Sequence, residues 1–236
     1  MRLFLIPVLL SSVVAASACS EAQEYEAKVG VKTESARDTH ETPRTVDAEP
    51  GALKLENERI EFSYTWPAAA NAIPALAARF EREAQSALDE AQAMAAEDQA
   101  AARGDGWEFR THSAEKEWKT VADITDWLSL SALIYSYTGG AHPNYGYDSL
   151  VWDRKAGTAR APLDLFRSPS AFKTALWGEF CDALDAERAE RRGEPVDPAS
   201  TDGFSTCPEP REVTVLLGSG NRETFDRIGI LIGPYV

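Results

Sequence analysis

Between Leu55 and Ala95 the apolar residues change their spacing once, and that change restricts the fold more than any other feature of the chain. Ile60, Phe62, Tyr64 and Trp66 stand on alternate positions, which reads as a strand from Leu55 to Trp66 with one buried face. Pro67 ends it. Beyond the proline, Ile73, Leu76, Phe80, Ala84, Leu88, Ala91 and Ala95 recur every three or four residues, predicting a long helix from near Asn71. Pro74 is tolerated there only within the first turn. Gly104-Asp105-Gly106 stops the helix and turns the chain.

Alternation then returns. Trp107, Phe109 and Thr111 predict one strand, Trp118, Thr120, Ala122 and Ile124 a second, and Leu128, Leu130, Ala132 and Ile134 a third, with Tyr135 and Tyr137 on the opposite face. After the loop Gly139 to Asn144, Tyr145 to Asp153 reads as a further strand, and Lys155-Ala156-Gly157 as a turn. Ser168-Pro169 opens a second helix, with serine as N-cap and proline at the first helical position. Phe172, Leu176, Phe180 and Leu184 form its apolar stripe, and Gly193 closes it. Val213–Leu217 and Ile228–Tyr235 are the last apolar runs. The order predicts an α+β domain, a largely antiparallel sheet with two main packed helices.

The N-terminus fixes the compartment. Arg2, an apolar run from Leu3 to Ala16 and the small residues Ala16-Ser17-Ala18 describe a secretory signal over 1–18, too short for a membrane span. The following Cys19 makes the segment similar to a bacterial lipoprotein signal, in which the cysteine is lipidated and becomes the new N-terminus. Plain secretion by an ordinary signal peptidase is the alternative. Residues 19–52 read as a lipidated N-terminus and disordered linker, rich in Glu, Thr and Ala, with Tyr25 its only aromatic and His40 solvated. Such a tether spans roughly 30 Å. Residues 53–236 form the single envelope domain. Membrane attachment is expected through the lipid alone, and Ser20 after the cysteine favours the periplasmic face of an outer membrane.

Charge narrows the partners. With Arg2 removed, 23 basic residues face 38 acidic ones. That excess argues against nucleic acid, whose binding rests on neutralising phosphates with Lys and Arg. A basic protein partner remains compatible with it, as does simple solubility. With Cys19 lipidated, Cys181 and Cys207 are left to form a disulfide in an oxidising compartment. Metal binding is the rival reading, but no His or Cys lies near either residue at ligand spacing, and neither metal nor other cofactor is expected.

The most distinctive segment is Tyr137-Thr138-Gly139-Gly140-Ala141-His142-Pro143, followed by Tyr147, Trp152, Gly157 and Leu163-Asp164-Leu165-Phe166. Paired glycines permit backbone angles that other residues resist, and Pro143 fixes the exit of the turn. His142 can serve as a general base, a ligand or a hydrogen-bonding strut, with Asp148 and Asp153 as carboxylates able to orient it. This run resembles a bacterial cell-envelope domain family of largely unknown function. The family occurs in the extracellular part of the lysozyme-binding anti-sigma factor of the sigma-V system, and related domains accompany the catalytic domain of some peptidoglycan deacetylases. The resemblance covers approximately residues 53 to 236.

It implies an α+β envelope domain that binds peptidoglycan or a wall-acting protein. It does not imply deacetylation, which belongs to a separate domain with metal-binding motifs absent here. Family members usually continue past the strand matching Ile228–Tyr235, so a missing final strand is expected here. The leading functional expectation is a noncatalytic binding module, with Gly139, Gly140, His142, Tyr145, Tyr147 and Trp152 as candidate binding residues. The alternatives are a wall hydrolase using His142 and a carboxylate, or a structural envelope component.

Overall fold

Leu55 to Trp66 is not one strand, because Asn57 breaks it. In the structure, a computed structural model describing residues 48–200 and 202–233, the Asn57 side-chain oxygen accepts the backbone N–H of Arg59 and of Ile60 at 2.9 and 3.1 Å. This turn joins β1 (Gly51–Glu56) to β2 (Ile60–Trp66) as an antiparallel hairpin. Gly51 is required opposite Trp66, since a β-carbon there would lie 1.9 Å from the indole. The signal segment, Cys19, and the tether through residue 47 lie outside the described residues.

A helical turn at Ala68–Asn71 precedes α1 (Pro74–Asp105), which begins three residues later than the apolar spacing suggests because Pro74 takes its first helical position. Gly106, at φ 77°, ends it in the left-handed conformation that glycine adopts without steric cost. The second of the expected strands is longer than its apolar spacing suggests, running as β3 (His112–Asp123), and the first, Trp107–Thr111, is irregular instead of extended sheet. The reason lies in the neighbours. β2 first meets β3 at Ile60–His112, and β4 last meets it at Tyr137–Ser113, so residues before His112 have no ladder to join.

β4 (Trp127–Tyr137), β5 (Asn144–Asp153) and β6 (Thr158–Arg160) complete a six-stranded sheet in sequential order β1 to β6. Only β2 and β3 run parallel, as the α1 crossover between them requires. Along one face Ile60, Phe62, Tyr64, Trp66, Trp118, Leu128, Leu130, Ala132, Leu150 and Trp152 close a core with Leu76, Phe80, Ala84 and Leu88 of α1. Phe80 stacks on Trp118 with ring centroids 5.1 Å apart.

The opposite face is partly covered by a second, two-stranded sheet, β7 (Thr214–Gly218) with β8 (Arg227–Leu231). β7 lies against β3, β4 and β5, and Phe225 of the intervening loop meets Trp127 at 6.2 Å. Helix α2 (Pro169–Arg192) is capped as expected, the Ser168 hydroxyl accepting the Ala171 N–H at 3.0 Å. Its buried stripe differs from the expected one: Trp177 and Arg188 join Phe172, while Leu176, Phe180 and Leu184 are only half-buried. The loop after Gly193 folds back onto the helix and makes this second buried side. Trp177 donates its indole N–H to Pro208 O at 2.9 Å, Arg188 donates to Thr206 O at 3.1 Å, and Cys181 is joined to Cys207.

Candidate functional site

The glycine turn links β4 to β5 at the end of the sheet where β3 begins. Gly139 sits at φ 82°, whereas Gly140 has no left-handed backbone angle and a β-carbon on it would meet nothing within 4 Å. The irregular segment Trp107–Thr111 passes beside this turn. Between them opens a cleft of about 590 Å³ lined by Trp107, Glu108, Phe109, Arg110, His112 and residues 138–141. Arg110 extends its Nη1 toward the Tyr137 hydroxyl and Gly139 O at 3.4 and 3.5 Å. Trp107 is 49% exposed, unusual for an indole without a partner surface.

His112 was not legible as a site residue, since alternation placed it among the polar, outward positions. It is buried at the cleft wall, with Nε2 3.2 Å from Asp98 of α1 and its ring 5.3 Å from Phe109. Nothing local in the sequence joins Asp98 to His112. The contact exists because the crossover helix ends where β3 starts.

His142 is exposed, and its Nδ1 lies 3.1 Å from Pro143 O in its own loop. The carboxylates considered as its partners are engaged elsewhere. Asp148 holds Lys116 at 2.7 Å and accepts the Ser149 N–H. Asp153 accepts the backbone N–H groups of Ala156 and Lys155 and faces Arg160, interactions that hold its carboxyl below the usual range, the Ala156 bond first among them. It also sits at the far end of β5, about 30 Å along the strand from the glycine turn.

Strand parity divides the candidate aromatics. Tyr145 and Tyr147 point to the face opposite α1, opposite Tyr135 and Leu133 of β4 in the ladder. Tyr145, 47% exposed, packs edge-on against Tyr135 with centroids 5.3 Å apart, and Leu133 beside them is also exposed. Trp152 falls on the other face and is buried in the α1 core, so it contributes to packing and not to this surface. Residue 152 lies an odd number of positions from both 145 and 147, which decides the split.

A polar chain inside the core also escaped the sequence reading. Tyr64 donates its hydroxyl to Glu83 at 3.0 Å and accepts the Trp118 indole N–H at 2.9 Å. Burial drives the Tyr64 phenol well above its ordinary range, the Trp118 bond opposes this, and Glu83 reinforces it. Lys116 lies 4.6 Å above the Trp118 ring. These contacts tie α1 to β2 and β3. Among the described residues no group of three or more His, Cys, Asp or Glu is placed to hold a metal ion, and no helix is long and apolar enough to cross a membrane.

Together these features define a mixed α+β domain, one end of whose main sheet carries exposed aromatics and a glycine-lined cleft. Residues 53–145 match the family model described as deacetylase PdaC. The matched segment spans β1 to the start of β5 and includes the cleft, the glycine turn and Tyr145. No curated protein matches the chain. Two solved structures are similar. One is a DUF3298-family protein from Bacteroides fragilis, with TM-score 0.38 and 13% identity over 66% of this chain and 73% of that one. The other is a DUF3298-family protein from Pseudomonas aeruginosa, with TM-score 0.39 and 15% identity over 80% of this chain and 91% of that one.

Proposed function

We propose that the chain is a noncatalytic binding module of the bacterial cell envelope, lipid-anchored at Cys19, which takes peptidoglycan at the glycine-turn end of its sheet. The observation that carries this reading is the Tyr135–Tyr145 pair on the face away from α1, Tyr145 exposed and Tyr135 half-buried against it, with exposed Leu133 beside them. Tyrosine offers an apolar ring to a sugar's C–H face and a hydroxyl to its oxygens, and two rings fixed against each other lose little freedom on binding. The resemblance to domains that accompany peptidoglycan deacetylases supports the wall as the partner. The hydrolase alternative has less support, because Asp148 and Asp153 are committed to Lys116 and to the β5–β6 turn.

A basic wall-acting protein is the second reading, and one observation favours it. Glu115 and Glu117 lie on the same face as Tyr135, with Glu115 paired directly to Tyr135 in the ladder. Carboxylates so placed would attract a cationic surface and make binding salt-sensitive.

Co-sedimentation with purified sacculi, run beside capture on immobilised lysozyme, separates the two. Peptidoglycan binding is expected to survive moderate salt and to fall at least tenfold in Tyr135→Ser/Tyr145→Ser. Salt-sensitive retention on lysozyme with no pelleting by sacculi would replace the first reading with the second.

A further inference from the structure

Resting on the envelope-binding reading, the cleft itself has a chemistry more specific than the tyrosine face. We infer that it is a pocket for the free carboxylate end of a peptide, received by Arg110 against the wall formed by Trp107 and Phe109. Both described hydrogen bonds of Arg110 are long and leave through the same nitrogen, Nη1, to Tyr137 and Gly139. They steady the guanidinium at the cleft without closing both prongs of its fork. A planar fork of this kind matches a carboxylate in two-point geometry.

Gly140 points the same way. Neither its backbone angle nor any neighbour demands glycine, yet it lines the cleft. What its missing side chain preserves is open space. The wall opposite is held firmly, since Phe109 packs on the buried ring of His112, which in turn contacts Asp98. Glu108 also lines the cleft and sets the ligand class. Its negative charge disfavours a bare polyanion such as phosphate and suits a peptide, whose N–H groups can face it while its terminus faces Arg110.

Calorimetric titration of the purified full-length chain with acetyl-D-alanyl-D-alanine and with its C-terminal amide tests the pocket. The acid is expected to bind at least tenfold more tightly than the amide. Arg110→Gln should erase that difference, and Gly140→Leu should block both, each without lowering the melting temperature because both positions are open to solvent. The L-alanyl pair distinguishes a wall stem peptide from a protein C-terminus: tighter binding of the D acid assigns the pocket to the wall, and tighter binding of the L acid overturns that assignment. Equal affinity for acid and amide, or an unaltered preference in Arg110→Gln, would overturn the pocket itself. Sacculus pelleting in the same samples keeps the two proposals apart. Wild-type pelleting without acid–amide discrimination removes the pocket alone, whereas discrimination without pelleting removes peptidoglycan binding alone.

Discussion

Gly139 lies against Arg110, where a β-carbon on the glycine would make an ordinary van der Waals contact, 3.4 Å from the arginine's own β-carbon. The glycine is also held at φ 82°, where an L side chain is strained. Gly139→Ala is therefore expected to cost about 1–2 kcal/mol in thermal or denaturant unfolding. Gly140→Ala, free of the left-handed backbone angle, should stay within about 0.5 kcal/mol of the parent protein. Equal losses at the two positions would mean that the turn adopts a different shape.

Tyr64→Phe leaves the buried Trp118 indole N–H without its acceptor, a loss of about 1–3 kcal/mol at neutral pH. Its alkaline behaviour is more diagnostic. The folded phenol ionises above its unfolded value near 10, so the stabilisation is complete below that pH and is lost as pH rises beyond it. The parent protein should lose stability more steeply than Tyr64→Phe between about pH 10 and 12, by up to about 1.4 kcal/mol per pH unit. Parallel curves would show that the phenol is not held in its neutral form.

The Cys181–Cys207 bridge closes a loop of sequence separation 26, for which chain entropy gives about 3–4 kcal/mol. The double serine variant should lose about that much stability and melt lower, yet keep the loop docked, because Trp177 still reaches Pro208 and Arg188 still reaches Thr206. Thermal unfolding measures the first effect, and amide hydrogen exchange over residues 204–210 measures the second. An unchanged melting temperature would show that the bridge does not constrain the unfolded chain.

Much of this architecture was legible because its signals are local. The change of period at Pro67, the Ser168-Pro169 helix start and the glycines at 106 and 193 each act within a few residues of themselves. The misread elements depend on distant partners. Trp107–Thr111 alternates like a strand but finds no neighbour, and Trp177 is buried only by a loop some thirty residues further on. The site divides the same way. Gly139 and Tyr145 could be singled out in the sequence, whereas the His112–Asp98 contact and the position of Arg110 beside Gly139 arise from the crossover of α1. Trp152 was drawn to the core by parity alone.

Anchoring through Cys19 gives a separate expectation. Cys19→Ala should abolish labelling by a fatty-acid probe and release the mature protein from membranes. Continued labelling of that variant would contradict attachment at this residue.

The most direct measurement of envelope binding at the glycine-turn end is hydrogen–deuterium exchange of the full-length chain with and without an excess of purified sacculi. Protection is expected over residues 107–112 and 133–147, with α2 and the β7–β8 sheet unchanged. Protection confined to α2 or β7–β8, or none anywhere, would contradict the assignment of this end of the sheet as the binding surface.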